Sequence, residues 1–322
     1  MSEQLVANRK ESAELTRTSS FQHPPVVLLD GTATQSRAVL GGKGYGINAM
    51  RREGLPVPPA FCITTEVCSC YFEDQDATTA SIHDEVRDKL GWLERETSRT
   101  FGTGPRPLLV SVRSGAALSM PGMLDTVLDL GIDDAVESAL AELHNIDFAR
   151  DTRRRFCHMY RRIVLGGENG DVPDDPFAQL GGAIGAVFRS WNSPRAVAYR
   201  RHHGLSEIGG TAVVVQAMVF GNMDSNSGTG VLFSRNPMTG AAEPFGEWLP
   251  CGQGEDVVSG TFDVEPVSAL RDEQPAVHDE LMKVAATLER IAQDVQDIEF
   301  TVEQGKLWLL QTRVAKRSAQ AA

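Results

Sequence analysis

The sequence predicts an α+β chain, with helices concentrated in the first part and strands in the second. Two observations carry this. Apolar residues recur at helical spacing through 80–98 (Ile82, Val86, Leu90, Leu93), with charges on the opposite face. From 211 onward the apolar runs become short and strand-like, at 211–220, 230–234, 296–302 and 307–312. In chain order, residues 1–24 are polar and Ser/Thr-rich and read as a flexible extension ending at Pro24-Pro25. VVLLD (26–30) reads as a strand, and GGKGYG (41–46) as a glycine-rich turn ahead of a helix that Gly54 and Pro56 end. A short strand follows in FCIT, with Thr64 or Thr65 as a helix cap. LLVSVRS (108–114) is a strand, and Ser119 to Met123 a turn before another helix. Residues 133–166 read as helices, 170–179 as a loop, and AIGAVFRSWNSPRAVAYRRHHG as helix on both sides of a Ser193-Pro194 break. A helix at 276–294 separates the last strand pairs. The expected organisation is a first part at 25–204, a second at 205–318 and a tail at 319–322.

A chain of 322 residues can form two or three packed units. Its net charge of −12 argues against a general nucleic-acid or membrane-surface binder, and no apolar run approaches a membrane span. The N-terminal segment lacks the apolar centre of a signal peptide. Five cysteines without paired spacing (Cys62, Cys68, Cys70, Cys157, Cys251) fit reduced structural thiols in a cytoplasm.

DIEFTVEQGKLWLLQTR (297–313) is the most informative stretch. It places Asp297, Glu299, Gln311 and Arg313 on two strand-forming runs around Gln304-Gly305. With a three-residue loop or a glycine bulge, Glu299 falls opposite Gln311 and the polar groups converge; a strict two-residue turn splits them. Hard oxygens beside a guanidinium suit a magnesium-bound polyphosphate, whereas an amphipathic hairpin with a solvated charged face has the same pattern. Lys43 among glycines is placed to reach phosphate, although the spacing is not that of a Walker loop. Arg113 leaves an apolar strand at a Ser114-Gly115 turn, which delivers a guanidinium to an anion or caps a helix end. VVVQAMVFGNMDSNSGTGVLFSRNP (213–237) reads as strand, glycine loop and strand. Gln216 to Val219 offer a slot for a flat base, and Ser227 or Thr229 a hydroxyl for phosphate; an ordinary hairpin loop reads the same. Glu247 and Glu255 lie in an apolar, glycine-rich stretch and suit ribose hydroxyls, metal or turn capping.

These segments together resemble the nucleotide-binding domain of the pyruvate phosphate dikinase family, an ATP-grasp fold. The resemblance spans about 26–318 and rests on six collinear strings: GGKGYGINAM, VSVRSGAALSMPGMLDTVLDLG, AVFRSWNSPRAVAYRR, VVVQAMVFGNMDSNSGTGVLFSRNPMTG, GEWLPCGQGEDVVSG and DIEFTVEQGKLWLLQTR. SMPGMLDT is similar to the dikinase rather than to phosphoenolpyruvate synthase. The resemblance implies ATP and Mg2+ held between a helix-rich and a strand-rich subdomain. It further implies transfer of the β-phosphate to a histidine on a separate swivelling domain, with the γ-phosphate passing to inorganic phosphate, and a third, barrel domain that handles pyruvate. By motif, Lys43, Arg113 and Arg313 become catalytic polyphosphate contacts, with Arg155 as a further phosphate arginine. Gln216, Met218 and Val219 become the adenine strand, Thr229 part of the phosphate-covering loop, and Glu247 and Glu255 acids near ribose and phosphates. Asp297, Glu299 and Gln311 become the metal group.

Two departures stand out. Ala117 occupies the place of the arginine in the family's RSGARASMPG, which sets the inorganic-phosphate step apart. The helical segment at 132–182 is much shorter than the family's. None of the seven histidines lies in the family's Thr-Ser-His-Ala context. The sequence is therefore read as a stand-alone ATP-grasp phosphotransferase subunit that phosphorylates a separate histidine carrier or a small-molecule acceptor. A non-catalytic nucleotide-binding regulator and an isolated domain of a larger dikinase-like enzyme are the alternatives.

Overall fold

Two five-stranded antiparallel sheets organise the chain in a computed structural model that describes residues 21–118, 120–205, 209–259 and 262–318. Along the chain come β1 (Val26–Leu28), α1 (Arg37–Arg52), β2 (Ala60–Ile63), α2 (Thr65–Glu73) and α3 (Gln75–Thr97). A short parallel pair, β3 (Thr100–Phe101) and β4 (Pro107–Leu108), precedes β5 (Val110–Gly115) and β6 (Thr126–Leu130). Helices α4 (Asp134–Leu143), α5 (Ile146–Ile163), α6 (Pro176–Ser190) and α7 (Pro194–His202) lead to β7 (Ala212–Ala217). The first sheet has the order β1-β2-β7-β5-β6. Beyond it lie β8 (Gly228–Phe233), β9 (Phe245–Pro250), α8 (Gly254–Ser259), β10 (Glu265–Pro266), α9 (Ala269–Glu273), α10 (Pro275–Ala292), β11 (Gln296–Glu303) and β12 (Lys306–Val314). Their sheet runs β10-β9-β8-β11-β12.

Strand alternation divides the core. On the central strand β7, Val213 and Val215 face one cluster with Phe61, Leu90, Phe156 and Phe188, while Val214 faces the other. That second cluster contains Leu40, Ile47 and Met50 of α1 together with Leu232, Phe300 and Leu309 of the second sheet and Leu281 and Leu288 of α10. Helix α1 is thus shared by both sheets. Ser193 caps α7 by accepting from the Ala196 N–H, with Pro194 in the first turn, as the Ser-Pro break requires.

Several expectations are corrected. GGKGYG is a break and a helix start rather than a turn throughout: Gly41 leaves helical geometry (φ 68°, ψ 167°) between a short helical piece from Arg37 and the helix that runs on from Gly42 to Arg52. A Cβ on Gly41 would sit 1.6 Å from the Gly115 carbonyl oxygen, so only glycine permits this approach. The helix expected after Met123 is strand β6, paired with β5. Thr64 occupies the N-cap position of α2 without a side-chain capping bond. The expected division after 204 gives β7 to the second part, but its pairing with β2 and β5 puts it in the first sheet. Residues 21–24 do not continue a free extension, since Glu66 accepts from the Gln22 and His23 N–H groups. Residues 1–20, Ser119 and the tail 319–322 lie outside the described residues. No helix among those described is long and apolar enough to cross a membrane, and all five cysteines are free thiols.

Candidate active site

The register of the β11–β12 hairpin builds one wall. Its turn is the strict two-residue type, with Gln304 and Gly305 both at positive φ (51° and 76°) and Glu303 facing Lys306. Alone, that turn would split the polar residues. A bulge restores them: Phe300 faces Leu309, but Glu299 faces Gln311 and Asp297 faces Arg313, leaving Leu310 as the extra residue. Glu299, Gln311 and Arg313 consequently line one cleft of about 600 Å³. Asp297 is buried behind them; its Oδ2 accepts from Arg313 Nε at 2.7 Å, while its Oδ1 is buried without a hydrogen-bond partner.

The opposite wall comes from β5, β7 and α1. Arg113 is buried and donates from Nη2 to Gln216 Oε1 (2.8 Å) and to the Leu310 carbonyl that the bulge turns outward (3.0 Å). This cross-wall contact fixes the guanidinium, while Arg113 Nε stays buried without a partner. Gln216 is itself held by the Pro58 carbonyl at 3.0 Å. Lys43 enters from α1 and lines the cleft. Burial, then Arg113, push its ammonium pKa down to about 7, with Glu299 opposing and Arg313 adding. Met218 and Val219 line the other end together with Met159 and Ile163 of α5. The Met218 N–H is spent on the Leu109 carbonyl. Thr229 lines the cleft, but its hydroxyl donates to the Phe300 carbonyl at 3.0 Å.

Four more residues expected here sit elsewhere or are already committed. Arg155 does not line the cleft; it is bound by Asp151, Glu255 and Asp256 at 2.7–2.8 Å. Glu255 lines the rim but is held by that arginine. Glu247 shares the cleft face of the second sheet, opposite Val231, yet is exposed and outside the cleft. Ser227 is buried and pins the β7–β8 connection through Asp224 and the Gln304 N–H. Conversely, sequence reasoning missed Met159, Arg162 and Arg195. Arg195 lies in the FRSWNSPR string, and its pairing with Asp125 was the missing signal.

Among the described residues no three His, Cys, Asp or Glu side chains form a metal cage. Glu299, the Gln311 amide and the unpartnered Asp297 Oδ1 nevertheless fit Mg2+, which takes hard oxygen donors and completes its shell with water and phosphate. Another cavity of about 610 Å³ lies between the 235–244 loop and α10, but its Arg235 and Arg317 are paired with Glu289 and Asp294.

Comparison with known proteins identifies a family. Residues 75–280 and 266–322 match the family model described as pyruvate phosphate dikinase, AMP/ATP-binding domain. The chain is 41% identical over 338 residues to pyruvate, phosphate dikinase of Clostridium symbiosum, covering 91% of this chain and 39% of that protein. It is 41% identical over 349 residues to the Rhizobium meliloti (strain 1021) protein, with the same 91% and 39% coverage. It is also 41% identical over 329 residues to the chloroplastic dikinase 1 of Zea mays, covering 89% of this chain and 35% of that one. The chain therefore spans well under half the length of these relatives, and the match lies in their nucleotide-binding part. On this match and this identity, the chain belongs to the family of pyruvate phosphate dikinase AMP/ATP-binding domains.

Proposed function

We propose that this domain is an ATP-grasp phosphotransferase module that holds Mg2+-ATP in the cleft between its two sheets and donates a phosphoryl group, the β-phosphate. The carrying observation is the convergence of Lys43, Arg113 and Arg313 with Glu299 and Gln311 in one cleft of about 600 Å³, next to an apolar end at Met218 and Val219. The base lies against Met218, Val219, Met159 and Ile163, and the phosphates run toward the cations. Magnesium, when bound by Glu299, Gln311 and Asp297, neutralises phosphate charge. The three cations hold the phosphates in line and stabilise charge as the bond breaks, which is most of what phosphoryl transfer requires. None of the seven histidines lines the cleft, so the acceptor is an imidazole of another domain or protein, or a small molecule. A neutral imidazole attacks without a general base. Free thiols accord with a cytoplasmic setting.

Incubation with β- and γ-labelled ATP, with and without a dikinase phosphohistidine domain, tests this. Label reaching the carrier from the β position is expected; efficient pyruvate phosphorylation by this chain alone would overturn the reading. Mg2+-ATP at 100 times its Kd should add about 2.7 kcal/mol of stability, and a melting temperature unmoved by millimolar ATP, ADP or AMP would refute the site.

A further inference from the structure

A cavity of about 450 Å³ continues the cleft beyond Lys43, between α1, the loop after β5 and β12. The loop wall carries no charge, being formed by Ser114, Gly115, Ala116 and Leu118. Ala117 lies in this same loop and adds no charge. The facing wall supplies Arg37 together with Lys43 and Arg313, against the single acid Glu299. Arg37 stands one turn before the Gly41 kink, and its side chain folds back over Gly42. A Cβ there would lie 3.2 Å from both Arg37 Nη2 and the Ala116 carbonyl oxygen. The missing side chain of Gly42 thus lets the guanidinium reach the loop wall. Arg113, Arg195 and Arg313 are each held by protein acceptors. Among the described residues Arg37 makes no hydrogen bond or ion pair. A guanidinium that lines a cavity, lies beside two other cations and has every donor free is built for a tetrahedral oxyanion.

We propose that Arg37 binds the outermost phosphate presented to this site, on the side where Ala117 supplies no cation. This rests on the nucleotide reading above and names a residue that reading does not use. The ligand is a phosphate dianion, either the terminal group of the nucleotide or free inorganic phosphate beside it.

Calorimetry on wild type, R37Q, R37K and R37Q/A117R, titrated with ATP, ADP and AMP and with inorganic phosphate on the AMP-saturated protein, tests the proposal. R37Q is expected to weaken ATP about tenfold, roughly one charge-assisted hydrogen bond, and to leave AMP within about twofold. R37K should retain part of the affinity, and A117R should restore part of it. A loss confined to the inorganic-phosphate titration also supports Arg37 and assigns the free anion as its ligand. Unchanged binding of both ATP and phosphate, or equal losses for ATP and AMP, would overturn it. K43Q separates the two levels: if K43Q weakens ATP and R37Q does not, only the Arg37 assignment fails. If wild type binds no nucleotide, the cleft reading itself fails.

Discussion

Two arginine-centred regions flank the cleft with opposite charge balance. At the α5–α8 edge, Arg155 is enclosed by Asp151, Glu255 and Asp256. Burial works against its charge, yet those carboxylates outweigh burial and hold its pKa above the ordinary value. At the Lys43 end of the cleft the balance is reversed: Arg37, Lys43, Arg113 and Arg313 face Glu299 and the buried Asp297. Arg113 keeps a buried Nε without a partner there. The first region satisfies its charges internally and so joins helices to each other. The second leaves donors open, and a buried cation with open donors is stable only with an anion to meet it. Sequence reasoning gave Arg113 and Arg155 the same role; the structure gives them different partners.

Three experiments press on that contrast. The largest effect belongs to the open region. Glu299→Gln and Gln311→Ala should lower metal-dependent turnover by about 10²–10³-fold while nucleotide affinity moves only a few-fold, since the proposed base end, at Met218 and Val219 just past β7, lies on a different segment. A turnover assay beside calorimetry reads both, and equal losses would make the hairpin merely structural. Next, Arg155→Met should cost about 2–3 kcal/mol in urea unfolding by removing the one guanidinium that Asp151, Glu255 and Asp256 share, with little change in ATP affinity. Unchanged stability with lost affinity would return Arg155 to the phosphates. The smallest effect concerns Asp129, buried on β6, whose pKa is pushed up to about 8 by burial and by Glu255, with Arg155 opposing and Asp151 adding. Its unfolded value is near 3.8, so between about pH 4 and 8 the fold holds a proton that the unfolded chain has lost. Its contribution is therefore full below about pH 4 and falls as pH rises to about 8. Asp129→Asn should melt with wild type at pH 4–5 and about 4 °C higher at pH 8; parallel melting curves across that range would refute the buried proton.

Much of this was legible in the residues. The α+β class, the long amphipathic helices, the Ser193-Pro194 break and the family resemblance all follow from periodicity and motif strings, because those signals are local. Lys43, Arg113, Gln216, Met218, Val219, Thr229, Glu255, Glu299, Gln311 and Arg313 do meet in one cleft. What failed was set by distant partners. GGKGYG reads as a turn because glycine disfavours helix interiors, and only the approach to Gly115 shows why the helix needs glycine at 41. Residues 126–130 looked helical beyond a Pro-Gly turn, yet pairing with β5 makes them strand. Arg155 was separable from Arg153 and Arg154 only through Glu255 and Asp256, which lie about a hundred positions away.

Leu310 has one more consequence, a matter of parity. Before it, β12 turns Leu307 and Leu309 inward; beyond it, Thr312 faces inward opposite Ile298, and Gln311 and Arg313 face the cleft. Odd positions build the core on one side of that residue and carry the ligand groups on the other. Deleting Leu310 would therefore leave Phe300 opposite Leu309 and Glu299 opposite Gln311 in an unbroken ladder, whereas a single-residue insertion between Lys306 and Gln311, with turn and bulge kept, moves Gln311 and Arg313 to the core face. Within β12, the site has room to lose one residue and none to gain one.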